Sequence, residues 1–365
     1  MEKRIILTGG GTAGHVTPHI ALLPALLEKG YKPYYIGSHN GIERQLIVSL
    51  GIDYYPISSG KLRRYPDIKN FTDMFRVIKG WGEAMKLLRK LKPHVVFSKG
   101  GFVAVPVTLA AYMLGIPVVL HESDITPGLA NRIALPFAKA VCCSFPETPA
   151  KIPAGKGFHT GTPIRAVLHK GSRYEGRQIC GFERLPQKPV IMFMGGSSGA
   201  GTINALLAKA LPRLLEHYHI IHLCGKGNIT SAGNMPGIAV FEYVNDELPH
   251  LYALADVVVS RAGANSLFEI LALRKPNLLI PLPLSVSRGD QILNAEAFRN
   301  QGFSVVLHEE ALENEDAAHI LSETILRLYA DKHNFIRKMN AESSAADAIT
   351  RITTIIEQWT TYDKT

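Results

Sequence analysis

A histidine closes a glycine-rich turn near the start of the chain. The turn reads Gly9-Gly10-Gly11-Thr12-Ala13-Gly14-His15 and follows the buried-strand pattern Lys3–Thr8. Imidazole titrates near neutral pH, so it can act as a general base. A residue just after such a turn points to the carboxyl edge of a parallel sheet, where ligands bind. We therefore predict His15 as a catalytic base; the alternative is a structural histidine.

A second polar group follows the strand pattern Ile116–Leu120. His121-Glu122-Ser123-Asp124 come directly after it. Carboxyl ends of parallel strands share one edge, so His121, Glu122 and Asp124 are candidates for sugar or proton contacts. Glu122 is the rival base, or the partner that orients His15. The alternative is loop capping by Asp124 and Thr126.

A strand, a glycine turn and a helix start lie together at 256–276. Asp256-Val-Val-Val-Ser predicts a buried parallel strand, Arg261-Ala262-Gly263 a turn, and the residues from Asn265 a helix. The first N–H groups of a helix lack internal partners and the dipole is positive there, so we predict a phosphate-bearing ligand. Glu269, one turn on, could accept from vicinal sugar hydroxyls, or merely complement the dipole.

The first glycine turn has a counterpart about half a chain later. The strand pattern Pro189–Met194 ends in Gly195-Gly196-Ser197-Ser198-Gly199, and a helix pattern begins at about Ala200. Two such starts predict two doubly wound α/β domains with a boundary near 163–166. A length of 365 residues with 46% hydrophobic content suits two domains of ordinary size.

The glycine spacing also permits a dehydrogenase. Gly9, Gly11 and Gly14 satisfy G-x-G-x-x-G, but the second strand pattern ends at Ser38-His39 without the acid that binds the ribose of NAD. We also find no D-x-D, zinc spacing, G-x-S-x-G or Walker A motif. We therefore expect no cofactor and no catalytic metal.

The formal charge of +9 is concentrated in one segment. Residues 61–92 hold ten Lys/Arg against three acidic residues, together with Phe71, Phe75 and Trp81. A basic segment with aromatic residues could lie on an anionic membrane surface. The alternative is that its apolar residues are helix core and its charges a solvated face. Nucleic acid is not expected, because the cluster is local and has no binding motif.

The remaining composition predicts a cytosolic chain without a membrane span. Between Met1-Glu-Lys-Arg4 and the glycines lie only the four residues Ile5-Ile-Leu-Thr8, which is not a secretory signal. The four cysteines show no C-x-x-C spacing, as expected of reduced thiols. Phe102–Leu120 is uncharged, but its prolines and Gly115 divide it into a buried helix and a strand.

Seven motifs in order carry a resemblance that covers nearly the whole chain. They are GGGTAGHVTP at 9–18, KGGFVAVP at 99–106, HESDITPGLAN at 121–131, GTPIR at 161–165, GGSSGA at 195–200, SRAGANSLFE at 260–269 and DQILNA at 290–295. Together they resemble the MurG family, the bacterial undecaprenyldiphospho-muramoylpentapeptide β-N-acetylglucosaminyltransferases. The resemblance implies two doubly wound Rossmann-like domains facing across a cleft, the B-type glycosyltransferase architecture. It implies an acceptor- and membrane-facing domain at 1–163, a UDP-sugar domain at 164–340, and a C-terminal helix at 341–365 packing back towards the N-terminal domain.

The resemblance also implies a reaction and a location. The reaction would be inverting transfer of N-acetylglucosamine from UDP-N-acetylglucosamine to the 4-hydroxyl of the muramoyl sugar of lipid I (undecaprenyl-diphospho-muramoyl-pentapeptide), giving lipid II for peptidoglycan synthesis. The protein would be peripheral, on the anionic cytoplasmic face of the bacterial cell membrane, with a cell-wall synthesis complex as a further candidate partner.

Residue roles follow from the same resemblance. Arg165 and the backbone near Val244 would meet the uracil, Glu269 the ribose, and Ser197, Ala264, Asn265 and Ser266 the diphosphate. Asp290 and Gln291 would contact the transferred sugar, and Thr12, Gly14 and Asn131 complete the donor set. The acceptor set would be Gly11, Thr12, His15, Gly100 and Gly101. Catalysis would fall to His15 and Glu122, and membrane contact to Phe71, Phe75 and Trp81. Some relatives have Gln-Gln at 290–291 and Gln-Asn at 123–124, which leaves the sugar contacts open.

Other functions remain compatible with these residues. One is another UDP-sugar enzyme of the same fold, such as a lipid glucosyltransferase or a UDP-N-acetylglucosamine 2-epimerase. Another is a non-catalytic membrane-associated scaffold, against which the intact His15, Glu269 and Gln291 count. Product analysis with a lipid I analogue separates these functions.

Overall fold

The computed structural model describes residues 2–60, 69–195, 201–229, 235–312, 315–342 and 347–360, with side chains from residue 74 onward in the second range. The chain divides into two compact units. The first unit is Met1–Arg165 with Ser344–Thr365, and the second unit is Ala166–Ser343. Each contains one parallel sheet, which confirms the predicted α/β fold class with two parallel sheets.

The first unit contains a seven-stranded sheet in the order β3-β2-β1-β4-β5-β6-β7. Its strands are β1 Lys3–Gly9, β2 Tyr31–Ser38, β3 Asp53–Ile57, β4 Val95–Gly100, β5 Val118–Glu122, β6 Ala140–Cys143 and β7 Gly157–His159. Its helices are α1 Thr17–Glu28, α2 Ile42–Val48, α3 Lys69–Leu91, α4 Ala104–Met113, α5 Leu129–Ala134 and, from the end of the chain, α13 Ala348–Thr360.

Apolar side chains bury both faces of this sheet. On one face Ile6 and Val96 pack with residues of α3 and α4, and on the other Ile5 and Phe97 pack with α1 and with Ile352 of α13. Continuous apolar strands of this kind are typical of parallel sheets covered by helices. The strand order reverses between β1 and β4, and a sheet of this class has its ligand crevice at the carboxyl ends of such a pair.

The second unit contains a six-stranded sheet in the order β10-β9-β8-β11-β12-β13, which reverses between β8 and β11. Its strands are β8 Val190–Met194, β9 His219–Leu223, β10 Ile238–Phe241, β11 Val257–Ser260, β12 Asn277–Leu279 and β13 Ser304–Val306. Its helices are α6 Arg173–Ile179, α7 Gly201–His217, α8 Leu248–Leu254, α9 Ala264–Ala272, α10 Asp290–Asn300, α11 Ala317–Ala330 and α12 Lys332–Asn340. Phe193 and Val259 lie in its core with residues of α7 and α11.

The uncharged stretch Phe102–Leu120 forms α4 and most of β5. Within the described ranges, no helix combines the length and the apolar character that crossing a membrane requires. The segment between Arg165 and Lys188 contains α6.

Candidate functional site

The turn after β1 holds His15 in one tautomer. Ala13–His15 form a single 3-10 turn, and Nδ1 of the half-buried His15 lies 2.9 Å from the carbonyl oxygen of Gly10. The hydroxyl of Thr12 lies 3.2 Å from the same nitrogen. Because a carbonyl oxygen can only accept, we assign the proton to Nδ1, which makes Nε2 the unprotonated, basic nitrogen. This is the arrangement that a general base requires.

The glycine turn after β4 packs against the first turn, backbone to backbone. Gly100 and Gly101 have φ angles of 86° and 82°, a region that favours glycine. A Cβ on Gly101 would collide with the carbonyl oxygen of Gly10. Backbone packing of this kind brings the two turns that carry the predicted acceptor residues Gly11, Thr12, His15, Gly100 and Gly101 to one edge of the sheet.

Lys99, which the sequence analysis gave no role, is buried at the same edge. Lys99 is only 3% exposed, and its ammonium group donates a hydrogen bond to the hydroxyl of Ser123. Burial lowers the pKa of Lys99 to about 8, against the opposing effect of the Glu122 and Asp124 carboxylates. The crevice of the first unit therefore has a buried cation beneath its loops.

Glu122 is engaged by the loop that follows it. Its Oε1 accepts from the N–H of Asp124 at 3.0 Å, and its Oε2 from the N–H of Gly128 at 2.9 Å and the amide of Asn131 at 2.8 Å. Burial raises the pKa of Glu122, and Asp124 adds to that rise. These contacts suit a residue that shapes the 123–128 loop and the start of α5. Asn131 also donates to the carbonyl of His121 at 3.1 Å, so its amide nitrogen serves the same loop.

His121, the other histidine of the predicted polar group, lies in the core. It is 0% exposed, its ring packs near Phe97, and its Nε2 lies 3.3 Å from the carbonyl of Gly161. Burial lowers the pKa of His121 well below its usual value, with Lys99 acting in the same direction. A neutral, enclosed imidazole of this kind supports the fold beneath the crevice and does not reach a substrate.

In the second unit, α9 begins at the carboxyl end of β11. Gly263, which has no side chain to cap the helix, precedes it, and Ala264, Asn265 and Ser266 form the first turn. That turn, all of it within the described residues, has no acidic side chain. Its N–H groups and the positive end of the helix dipole suit an anionic ligand. Glu269 lies one turn further on and is half-buried.

Two buried side chains, both without an assigned role at the sequence level, fix the loops around α9. The guanidinium of Arg261 donates to the carbonyl of Ile280 at 3.0 Å and pairs with Glu309 at 2.5 Å. The amide of Asn294, on α10, donates to the carbonyl of Ala262 at 3.4 Å. Arg261 therefore connects the ends of β11 and β12 to the segment after β13, and Asn294 connects α10 to the turn before α9.

The two residues predicted to contact the transferred sugar begin α10. Asp290 pairs with Arg288 at 2.5 Å. The side-chain oxygen of Gln291 accepts from the N–H of Leu282 at 3.1 Å, so its amide nitrogen is the end that can donate to a sugar oxygen. Both residues are half-buried.

The remaining predicted donor residues are more scattered. Gly14 lies in the 3-10 turn with His15, Val244 in the connection after β10, and Arg165 at the end of the N-terminal segment of the first unit. Ser197 lies outside the described residues.

The three predicted membrane residues have different environments. Phe75 is 70% exposed, whereas Trp81 is partly buried against the core of the first unit, and the side chain of Phe71 lies outside the described part of the chain. Met74 and Ile78 are exposed beside Phe75. Among the side chains of α3 from residue 74 onward, the large exposed apolar ones are therefore Met74, Phe75 and Ile78.

The described residues contain no group of three His, Cys, Asp or Glu side chains that could hold a metal ion. All four cysteines are buried and free.

Comparison with known proteins adds two domain matches and close full-length relatives. Residues 5–143 match the glycosyltransferase family 28 N-terminal domain, and residues 190–352 match the family 28 C-terminal domain. The chain is 53% identical over 359 residues to a protein of Clostridium novyi (strain NT), with 98% of this chain and 99% of the relative covered. It is 54% identical over 357 residues to a protein of Lachnoclostridium phytofermentans, with 98% and 99% covered. Both are named UDP-N-acetylglucosamine–N-acetylmuramyl-(pentapeptide) pyrophosphoryl-undecaprenol N-acetylglucosamine transferase. Among solved structures, Acinetobacter baumannii MurG matches with a TM-score of 0.73 and 25% identity, covering 98% of this chain and 99% of that chain.

Proposed function

Because the chain belongs to the family of UDP-N-acetylglucosamine–N-acetylmuramyl-(pentapeptide) pyrophosphoryl-undecaprenol N-acetylglucosamine transferases, we propose that it transfers N-acetylglucosamine from UDP-N-acetylglucosamine to lipid I. The product is lipid II, the disaccharide lipid used in peptidoglycan synthesis, and hence in cell-wall biogenesis, cell shape and division. The observation that supports this most strongly is identity of more than half the residues over nearly the full length of both proteins.

We propose that the first unit supplies the base. The 4-hydroxyl of the muramoyl sugar attacks the anomeric carbon in line with the leaving UDP, which inverts that carbon. Nε2 of His15 takes the hydroxyl proton as the new bond forms, which is consistent with the Nδ1–H tautomer. In this proposal Glu122 shapes the 123–128 loop, since both its oxygens already accept hydrogen bonds from that loop and from Asn131 of α5. The glycine turns at 9–15 and 99–101 receive the acceptor.

The second unit would hold the donor. The N–H groups and dipole at 264–266 offset the negative charge that develops on the leaving diphosphate. Glu269 accepts from the ribose hydroxyls, and Asp290 and Gln291 contact the N-acetylglucosamine. Val244 and Ser197 complete the nucleotide contacts of this unit, and Arg165, Thr12, Gly14 and Asn131 are the proposed donor residues that belong to the first unit.

A transfer assay tests this function. Radiolabelled N-acetylglucosamine is supplied as its UDP derivative, with a short-chain lipid I analogue and EDTA. Labelled disaccharide lipid is the expected product. Formation of UDP without that lipid would point to another acceptor, and N-acetylmannosamine in place of the disaccharide would point to an epimerase. Absence of both reaction and UDP binding would overturn the proposal.

We further propose that α3 places the enzyme on the anionic cytoplasmic face of the cell membrane, as a peripheral protein, where a cell-wall synthesis complex could recruit it. The apolar stripe of α3 that packs into the core through Trp81, Met85 and Leu88 continues at heptad spacing to the exposed Met74 and Ile78. Lysines and arginines flank that end of the helix in the sequence, which suits an anionic lipid surface.

Vesicle flotation tests the membrane surface. The Met74→Ser/Phe75→Ser variant is expected to lose binding to vesicles containing phosphatidylglycerol while its lipid-free fold is unchanged. Tyr174→Ser is the matched control, because Tyr174 is an aromatic side chain exposed to 69% on the second unit, against 70% for Phe75. Equal binding of the α3 variant, the control and the unmodified chain would reject α3 as the contact.

A further inference from the structure

Glu43 is a fully buried carboxylate that the proposed reaction leaves without a role. It lies in the first turn of α2, and its residue is 0% exposed. Its Oε1 accepts from the N–H of Ser38 at 3.0 Å and from the hydroxyl of the same residue at 2.5 Å. Its Oε2 accepts from the N–H of Gly11 at 3.3 Å. One carboxylate therefore joins the end of β2 to the glycine turn after β1.

Glycines create the space for this carboxylate. A Cβ on Gly10 would come within 2.5 Å of Oε1 of Glu43, and a Cβ on Gly37 within 3.0 Å of its Cγ. A Cβ on Gly41 would collide with the carboxylate. Gly11 has a φ of 90°, which sets the orientation of the turn at the point where its N–H meets Glu43. Gly10 belongs to the turn after β1, whereas Gly37 and Gly41 belong to β2 and to the start of α2, so glycines of both the turn and the β2–α2 connection leave room for the carboxylate.

The N–H that Glu43 accepts belongs to the same peptide group that orients His15. The Gly10–Gly11 peptide offers its N–H to Oε2 of Glu43, and its carbonyl oxygen lies 2.9 Å from Nδ1 of His15. A hydrogen bond to one end of a peptide group polarises it and strengthens the bond at the other end. A negative charge on the N–H side makes the carbonyl a better acceptor for the Nδ1 proton.

We infer that Glu43 is the positioning residue for His15 and acts on it through the Gly10–Gly11 peptide. The carboxylate fixes the peptide plane, and the carbonyl of that peptide holds the imidazole as the Nδ1–H tautomer, in which Nε2 is unprotonated. This arrangement resembles a carboxylate–imidazole pair in which one peptide group has been inserted. The catalytic part of the inference rests on the proposed function; the tautomer part depends only on the structure.

Glu43→Gln is the informative substitution, because it keeps the size of the side chain and removes the charge. A glutamine has one acceptor oxygen and one NH2 group, so it cannot accept from Ser38 and Gly11 in the same way. We expect kcat with a short-chain lipid I analogue to fall about 10- to 100-fold, as when a reacting group is slightly misplaced. The KM for UDP-N-acetylglucosamine should stay within about twofold, because the ribose and diphosphate contacts proposed for the donor lie on the second unit.

The chain offers a matched control in Glu83. Its carboxylate accepts from the N–H of Ser58 at 2.6 Å and from the Ser58 hydroxyl at 3.2 Å, which is the pair of contacts that Glu43 makes with Ser38. Glu83 belongs to the same unit, and within the described residues its hydrogen bonds and ion pair go to Ser58 and Lys79, not to the turn at 9–15. Glu83→Gln is therefore expected to leave kcat unchanged. If both variants lose activity in proportion to a lowered Tm, Glu43 is only a stabilising residue and the inference is wrong.

Nitrogen-15 NMR of the imidazole ring tests the tautomer without any substrate. The chain has 14 histidines, so the His15 signals are assigned by their loss in His15→Gln. The unmodified protein should show a protonated Nδ1 and a bare Nε2, and Glu43→Gln should shift His15 towards a mixture of tautomers. An Nε2–H tautomer in the unmodified protein would overturn the inference even if Glu43→Gln failed to fold. Failure of the transfer assay with the tautomer intact would instead count against the proposed reaction alone.

Discussion

Replacing the buried Lys99 by methionine should make the first unit more stable at neutral pH. Burial lowers the pKa of this lysine from 10.5 to about 8, so the charged form is disfavoured in the native state. A shift of that size corresponds to about 3 kcal/mol at pH 7, where the unfolded chain also has the group charged. Lys99→Met keeps the length of the side chain and removes this cost. A gain of up to about 3 kcal/mol should raise the Tm of the unit by roughly 6–12 °C.

The pH dependence has a definite sign. Between pH 8 and 10.5 the unfolded chain binds more protons than the native protein at this group, so native stability rises with pH across that window. Lys99→Met cannot gain this increment, and its advantage over the unmodified protein should shrink between pH 8 and 10.5. Lys275 also has a pKa lowered to about 8 by burial. Only the difference between variant and unmodified protein therefore isolates Lys99.

Tryptophan fluorescence during urea unfolding measures this effect in the correct unit. The chain has two tryptophans, Trp81 and Trp359, and both belong to the first unit. The variant should also lose activity about tenfold, the equivalent of one charge-assisted hydrogen bond, because Ser123 loses the ammonium that it accepts from. Lys275→Met is the matched control for activity, since its ammonium donates to Ala255 in the second unit. A Lys99→Met protein that is less stable at pH 7, or a difference that is constant with pH, would refute the reasoning.

Three further predictions follow from the geometry of the turns. His15→Ala should lower kcat about 10²- to 10⁴-fold while UDP-N-acetylglucosamine affinity, measured by calorimetry, is nearly unchanged; an equal loss of affinity would make His15 a binding residue. Gly101→Ala should lower the free energy of unfolding, measured in urea, by more than about 2 kcal/mol, because it combines a positive φ with a collision against Gly10. Gly155→Ala is the control: its φ is 79° but the space around it is open, so the loss should be only about 1 kcal/mol. Glu269→Gln should weaken UDP binding by about 1–3 kcal/mol and have less effect on dUDP, which lacks one ribose hydroxyl; equal weakening for both would exclude the ribose contact.

The sequence predicted the central strands and missed the edges for a physical reason. β1, β8 and β11 are buried on both faces and therefore read as continuous apolar runs. β3 is an edge strand of the first sheet, and its sequence Asp-Tyr-Tyr-Pro-Ile includes a proline that only an edge or a strand end tolerates. Local sequence patterns report burial on both faces, which an edge strand does not have.

The parts of the site that consecutive residues form were predictable from the sequence. The turn carrying His15 and the start of α9 are each a strand, a glycine turn and a helix in succession, so their residues are recognised by spacing. Glu43 lies 32 positions after Gly11, on a helix with no motif of its own. The acid expected of a dinucleotide-binding fold would lie at the end of β2, near Ser38, and Glu43 follows only five residues later. Only the fold shows that the carboxylate of Glu43 accepts a hydrogen bond from Gly11 in the turn after β1.

Trp81 shows what a composition argument leaves out, because composition alone does not say which face of a helix a residue occupies. The aromatic residues of α3 share a basic segment, but the helix period places Trp81 with Ala84, Met85 and Leu88 against the core. The same stripe leaves the core towards the start of the helix, where Met74 and Ile78 are exposed. Hydrophobic periodicity predicts which residues share a face; where the core ends along that face depends on the neighbouring elements.

The ligand crevices of the two units are both built from a strand, a turn and a helix, but the charges around the turn differ. In the first unit, the turn is supported by buried charges: Glu43 meets the Gly10–Gly11 peptide, and Lys99 lies under the loop that Glu122 organises. A base needs one defined tautomer, and fixed charges in a region of low dielectric can impose it. In the second unit, the first turn of α9 has no carboxylate within the described residues, and the guanidinium of Arg261 is paired with the largely buried Glu309. A carboxylate in that turn would repel a diphosphate, so the positive end of the helix must be left uncompensated until the ligand supplies the negative charge.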